Sequence, residues 1–307
     1  ACLASVALAA PPPGIPDGWS DSFAYSNGAR LHYYRAVPSP GKPVVVMVHG
    51  VTDNGLSWAA LAQELQKSYD IYMLDARGHG LSDPFTDSST GDTLVKDVVG
   101  FVQAMKLTRP ILIGHSMGAA TVMRLGAEYP DLPRAVIMLD PLLGPLPAVG
   151  RPTAAAPGTA PPARRPGALV MFGPAEDLVA QNNDPFDELV TACREQEPKW
   201  QLESCQYWAQ SKKQYHGPYS ATQLQAIRGT MALGDSLARI AVPALILKAD
   251  APREVRAANL KAASVMKRGK LVHVDDAGHN LHHDQPVRTM ELLAGFLSEL
   301  QGGNLRP

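Results

Sequence analysis

Val44-Val45-Val46-Met47-Val48 is an apolar run with no polar alternation, and it ends directly in His49-Gly50. A strand of that kind needs cover on both faces, so it belongs inside a largely parallel sheet. Residues 71–74, 111–113, 136–139 and 244–247 repeat the pattern. Between these runs, residues 58–66 and 94–105 carry apolar side chains at helical spacing. A further helix is predicted from just after Ser116 to about Tyr129, where Pro130 stops it. Strands alternating with helices in this way specify an α/β fold with crossover connections. Residues 31–35 alternate and read as an edge strand. A helix near 253–266, a strand over 271–274 and a closing helix over 285–300 complete the pattern.

The character changes after Asp140. Prolines crowd residues 141–174, from Pro141 through Pro174, and exclude regular helix or strand through most of that stretch. Helical spacing returns over roughly 184–197, 200–214 and 221–231, with Trp200, Tyr207, Trp208, Tyr215 and Tyr219. Such an interruption is long enough to be a helical cap inserted into one sheet. The expected organisation is a flexible extension or signal remnant over 1–20, a core over 21–140 and 236–307, and an inserted cap over 141–235. A chain of 307 residues has room for this arrangement.

The net charge is −1, which gives no electrostatic reason to capture nucleic acid or an anionic membrane. A small, near-neutral substrate is the expected partner, and the oligomeric state is not readable from the sequence. No stretch is long and apolar enough to span a bilayer. The residues before Pro11 resemble the end of a secretory signal but lack a basic segment, which leaves cytoplasmic and exported locations both open. Cys2, Cys193 and Cys205 form no C-x-x-C pair. Cys193 and Cys205 are close enough in sequence to bridge, although composition favours reduced thiols.

The chemistry concentrates at Gly114-His115-Ser116-Met117-Gly118, a G-x-S-x-G segment between a predicted strand and a predicted helix. A serine hydroxyl is a weak nucleophile unless it is exposed and hydrogen-bonded to a base. A sharp strand-to-helix turn provides that exposure, and the helix start presents the Met117 amide to a developing oxyanion. Without that context, the same serine would serve only as a helix cap. His49-Gly50-Val51 follows an early strand and makes the Val51 amide the second candidate oxyanion donor. His279, in Gly278-His279-Asn280, follows the last strand and is the candidate base. A metal reading of His279, His282 and His283 lacks the carboxylates and spacing of helix-borne zinc motifs. Two strand-end aspartates compete for the acid. Asp250 is preferred from the chain order Ser, Asp, His, and Asp140 is the alternative. Asp53 and Asn54, beside the candidate oxyanion loop, and Trp200, Trp208 and Tyr215 in the cap are candidate substrate contacts. Each has a bland alternative, as a partner of its own loop or as packing that holds a small cap together.

These segments, together with Asp75-Ala76-Arg77-Gly78-His79-Gly80-Leu81-Ser82, resemble the α/β-hydrolase superfamily over about residues 25 to 300. The resemblance is to the branch holding esterases, epoxide hydrolases, dehalogenases and C–C bond hydrolases. It implies a mostly parallel eight-stranded sheet with helices on both faces and a helical cap inserted after the sixth strand. It also implies that Arg77 and His79 shape a loop rather than react. Epoxide hydrolases and haloalkane dehalogenases of this branch carry Asp at the elbow, where this chain has Ser116. Acyl chemistry through a serine ester is therefore expected, with no metal or organic cofactor required. The strand before Asp250 reads Leu-Lys-Ala-Asp, where many relatives place Gly before the Asp. The leading expectation is hydrolysis of a carboxylic ester or lactone. The same machinery also suits a C–C bond hydrolase, an acyltransferase, a cofactor-free haloperoxidase-like enzyme, or a small-molecule receptor that retains the triad.

Overall fold

The computed structural model describes residues 12–143, 175–229 and 233–303. Cys2, the signal-like segment before Pro11 and most of the proline-rich stretch, from residue 144 to 174, lie outside the described residues. Eight strands, β1 (Ser20–Ser26), β2 (Ala29–Arg35), β3 (Val44–Val48), β4 (Asp70–Leu74), β5 (Ile111–His115), β6 (Ala135–Leu139), β7 (Ala244–Lys248) and β8 (Gly269–His273), form one sheet. Their order is β1-β2-β4-β3-β5-β6-β7-β8, antiparallel at β1–β2–β4 and parallel from β4 onward. The run over 31–35 is not an edge strand. It lies inside β2, and β1 hairpins back over it through Asn27-Gly28, a two-residue turn in which both residues have positive φ.

Successive side chains of a strand point to opposite faces, and both faces of the central strands β3 to β7 are buried. Val45, Met47, Ile111, Ile113, Ile137, Leu245 and Leu247 share one apolar cluster; Val46, Val48, Leu112, Val136, Met138 and Ile246 share the other. That division explains why the central strands read as continuous apolar runs. On the first face pack α1 (Ala59–Leu65) and the closing helix (Pro286–Gln301). On the second pack α2 (Thr93–Ala104) and α3 (Met117–Glu128), through Phe101, Val122 and Leu125.

Between β6 and β7 the described residues 175–229 form four helices, α4 (Ala175–Asn182), α5 (Phe186–Gln196), α6 (Leu202–Gln214) and α7 (Ala221–Arg228). The next helix, α8 (Leu233–Arg239), brings Leu237 into the core cluster that lines α3. Cys193 of α5 and Cys205 of α6 are joined by a disulfide, with Cα atoms 5.6 Å apart, in place of the reduced thiols that composition favours. Buried Trp200 packs with them and ties α5 to α6. After β7 come α9 (Arg253–Ala263), β8, the short α10 (Leu281–Asp284) and the closing α11 (Pro286–Gln301).

Candidate active site

β5 runs buried to His115, and the chain then turns at Ser116 with φ 51° and ψ −111° before α3 begins. A non-glycine residue rarely holds that conformation, and surrounding bonds fix it here. The Ser116 amide donates to Leu139 O at 3.0 Å, and the Gly118 amide donates to His49 O at 3.1 Å. The approach is close enough that a Cβ on Gly118 would strike the Val48 carbonyl, and one on Gly114 would strike the Gly118 carbonyl. The glycines of the G-x-S-x-G segment are thus required by backbone contact on both sides of the serine.

Ser116 Oγ lies 2.9 Å from His279 Nε2, and His279 Nδ1 lies 2.6 Å from Asp140 Oδ2. With Nδ1 donating to the carboxylate, Nε2 carries the lone pair and accepts the hydrogen bond of the Ser116 hydroxyl. His279 is held from behind, because His115 Nε2 donates to the His279 carbonyl at 3.0 Å. Burial, with the neighbouring His279 adding to it, pushes His115 down to about 4, so it stays neutral in this role near pH 7.

Asp140 follows β6 with φ 46°, its amide bonded to Leu247 O at 2.7 Å. Its other oxygen, Oδ1, accepts from the Ala249 amide at 3.1 Å and from Lys248 Nζ. Burial alone would raise this carboxyl. The His279 hydrogen bond and the Lys248 ammonium outweigh it and hold the group at about 2.

Asp250, preferred from chain order, does not meet His279. It lies two residues past β7, and its Oδ1 accepts from the Arg256 guanidinium at 2.5 Å while Oδ2 accepts from the Asp276 amide at 2.9 Å. Its own amide donates to Ala277 O at 2.8 Å. Asp250 therefore shapes the 275–277 loop that precedes His279, and Asp140 occupies the position beside the imidazole. Both aspartates satisfy the order Ser, Asp, His. The selection is made by Arg256, one turn into α9, and by Lys248 at the end of β7, and neither carries a readable signal in the sequence.

The loop from His49 to Asn54 is also fixed from several directions. His49 Nδ1 donates to Gly50 O at 2.7 Å, and Nε2 accepts from the Ala76 amide at 3.0 Å. Val51 is half-buried, and Thr52 has φ 67°. Asp53 and Asn54 are engaged within this loop and with the helical insertion. Asp53 pairs with Lys212 at 3.2 Å; Asn54 Oδ1 caps the Leu56 amide at 3.1 Å, and its Nδ2 donates to Gln214 Oε1 at 2.9 Å. Three aromatic candidates also have packing partners. Trp200 Nε1 donates to Asp284 Oδ1 at 2.8 Å with its ring against His283; the Trp208 ring sits 4.8 Å from Lys212 Nζ; and Tyr215, fully buried, packs on His79. His282 stacks between Trp58 and His283.

The Asp75-to-Ser82 segment shapes a loop. Asp75 accepts from the Gly55 amide at 2.6 Å and the Leu81 amide at 3.0 Å, and Arg77 forks onto buried Asp97 at 2.9 and 2.7 Å.

The model of the alpha/beta hydrolase family matches residues 45–292, most of the chain. The chain belongs to the alpha/beta hydrolase family. Among curated relatives of this alpha/beta hydrolase, an N-formylmaleamate deformylase of Pseudomonas putida is 37% identical over 123 residues, 39% of this chain and 45% of that protein. A 2-(acetamidomethylene)succinate hydrolase of Mesorhizobium japonicum is 33% identical over 98 residues, 32% of this chain and 35% of that protein. The matched region thus spans less than half the length of either curated relative. The crystal structure of an N-formylmaleamic acid deformylase from Pseudomonas putida superposes with a TM-score of 0.66 at 22% identity, covering 89% of this chain and all of that one. That likeness shows the shared fold.

Proposed function

We propose that this alpha/beta hydrolase cleaves a carboxylic ester or lactone of a small, largely apolar substrate through an acyl-enzyme on Ser116. The observation that carries the reading is the continuous relay from Ser116 Oγ through His279 to Asp140. In this scheme Ser116 Oγ attacks the carbonyl carbon and passes its proton to His279 Nε2. Asp140 holds the imidazole in the accepting tautomer and balances the imidazolium. The Val51 and Met117 amides take the oxyanion, the latter as a first-turn helix N–H with no intrahelical acceptor. The tetrahedral intermediate collapses as His279 returns the proton to the leaving oxygen. Water, deprotonated by the same His279, then releases the acid. Met117 belongs to an apolar cluster with Phe85, Leu94 and Ala226, and Val51 and Ile227 pack against it, so the surroundings of the two amides are apolar, as suits an apolar substrate. The helical insertion serves as the cap, and all residues of the scheme belong to the chain itself.

A second reading, cleavage of an acyl–nitrogen bond, is favoured by the likeness of part of the chain to the N-formylmaleamate deformylase and the 2-(acetamidomethylene)succinate hydrolase. The discriminating experiment is a panel of p-nitrophenyl esters from acetate to decanoate, an aliphatic lactone and an N-formyl amide. A rate enhancement over the uncatalysed reaction that is larger for the ester or lactone than for the amide, and that vanishes in Ser116→Ala, is the expected result. Preference for the amide moves the assignment to the second reading. Failure to cleave any of them, with Ser116 still reactive toward a phosphonate, contradicts hydrolysis of this bond class and favours C–C cleavage, acyl transfer or a receptor.

A further inference from the structure

Lys212, on α6 of the helical insertion, is only 1% exposed. Its Nζ points into the candidate oxyanion loop, donating to Thr52 O at 2.9 Å, Thr52 Oγ1 at 2.8 Å and Asp53 Oδ1 at 3.2 Å. Ser211 Oγ at 3.3 Å and the Trp208 ring at 4.8 Å complete its surroundings. Burying an ammonium is costly unless it is paired and hydrogen-bonded, so a site this dry with this many oxygens is a built one. Its neighbour Lys213 shows the ordinary alternative, an exposed ammonium on the carbonyls of Asn182 and Asp184. The loop that Lys212 grips includes Thr52 at φ 67°, an unfavourable conformation for a β-branched residue that needs outside bonds to persist. The ammonium engages both oxygens of Thr52, and two residues further along α6 Gln214 holds Asn54. On the other side, His49 is locked by its two imidazole bonds. Val51 stands between these anchors.

We propose that Lys212 is a positioning residue that clamps Thr52 and Asp53 so that the Val51 amide is held as an oxyanion donor, a role that rests on the serine-hydrolase reading. The clamp makes the helical insertion part of the catalytic apparatus. With α6 docked, the bonds from Lys212 set the loop, and Thr52 loses the support of its conformation when they are removed.

The test compares the full chain with Lys212→Met, which keeps the length of the side chain and removes the charge and donors, and with Lys213→Met as a neighbouring control. Three readouts are taken: deuterium exchange of the peptide covering residues 49–56, the second-order rate of fluorophosphonate labelling at Ser116, and kcat and KM on the best ester. Lys212→Met is expected to speed exchange in that peptide. It should slow labelling by about 10- to 100-fold, short of the loss seen when an oxyanion donor is removed outright. It should lower kcat in step, with KM within about threefold. Lys213→Met should match wild type in all three. Should Lys212→Met fail to fold, Lys212→Gln, which retains a donor without charge, is expected to give intermediate exchange and labelling. Unchanged exchange at 49–56, or a loss that lies wholly in KM, overturns the clamp. If wild-type protein is not labelled at all, the serine-hydrolase reading fails, and the exchange result still decides whether Lys212 fixes the loop.

Discussion

Asp140→Asn is expected to lower kcat by about 10³- to 10⁴-fold, whereas Asp250→Asn should cost no more than about tenfold. The amide introduced at position 140 would keep the shape of the carboxylate but not its charge. It would leave the imidazolium of the transition state unbalanced and offer an N–H to a nitrogen that must itself donate. Asp140 is suited to the task because it is buried, ionised and bonded to His279 Nδ1 at 2.6 Å. Asp250 sits in solvent, paired with Arg256, and reaches His279 only through the loop it orders. Steady-state kinetics on the two variants decide between them. A larger loss in Asp250→Asn would mean that the 275–279 loop rearranges when substrate binds, and that the pairing of His279 with Asp140 is not the one that reacts.

Arg77→Met should destabilise the protein by about 3–5 kcal/mol, the cost of leaving a buried charge without its partner. Asp97 is buried on α2, and burial raises its carboxyl even with the Arg77 fork in place. Without Arg77 its carboxylate would retain, among the described residues, the side-chain amide of Asn27, 2.7 Å away. Arg77 also donates to Asn27 O at 2.9 Å, so the same guanidinium ties the β1–β2 turn to α2. Urea unfolding should show a lower midpoint with an unchanged slope. A loss below about 1 kcal/mol would show that Asp97 is solvated or neutral in the folded protein and that Arg77 does not brace the segment.

The sheet is legible in the sequence because its central strands are buried on both faces, which forces uninterrupted apolar runs and leaves a turn signal after each. The elbow is legible for a related reason. A strand, a serine flanked by glycines and a helix are a local sequence, and the contacts that demand those glycines come from the same short segment and from β3. The edge is misread because burial of residues 31–35 depends on β1, whose Ser20–Ser26 sequence alternates weakly and is largely exposed. Asp140 emerges from the sequence only as the alternative acid because strand ends look alike there. The partners that separate it from Asp250, Lys248 and Arg256, declare themselves only when β7 and α9 are packed. Lys212 gives no signal for the same reason. It is one of two adjacent lysines on a polar helix, and its partners lie 160 residues earlier in the chain. The disulfide is open on composition because Cys spacing alone does not place α5 against α6.

The most direct test of the central claim is the intact mass of the protein after exposure to a fluorophosphonate, followed by peptide mapping, for wild type and Ser116→Ala. A single adduct on the peptide containing Ser116, absent from Ser116→Ala, is the expected result. An adduct on another residue, or a wild-type protein that stays unmodified while folded, would contradict the assignment of Ser116 as the activated nucleophile.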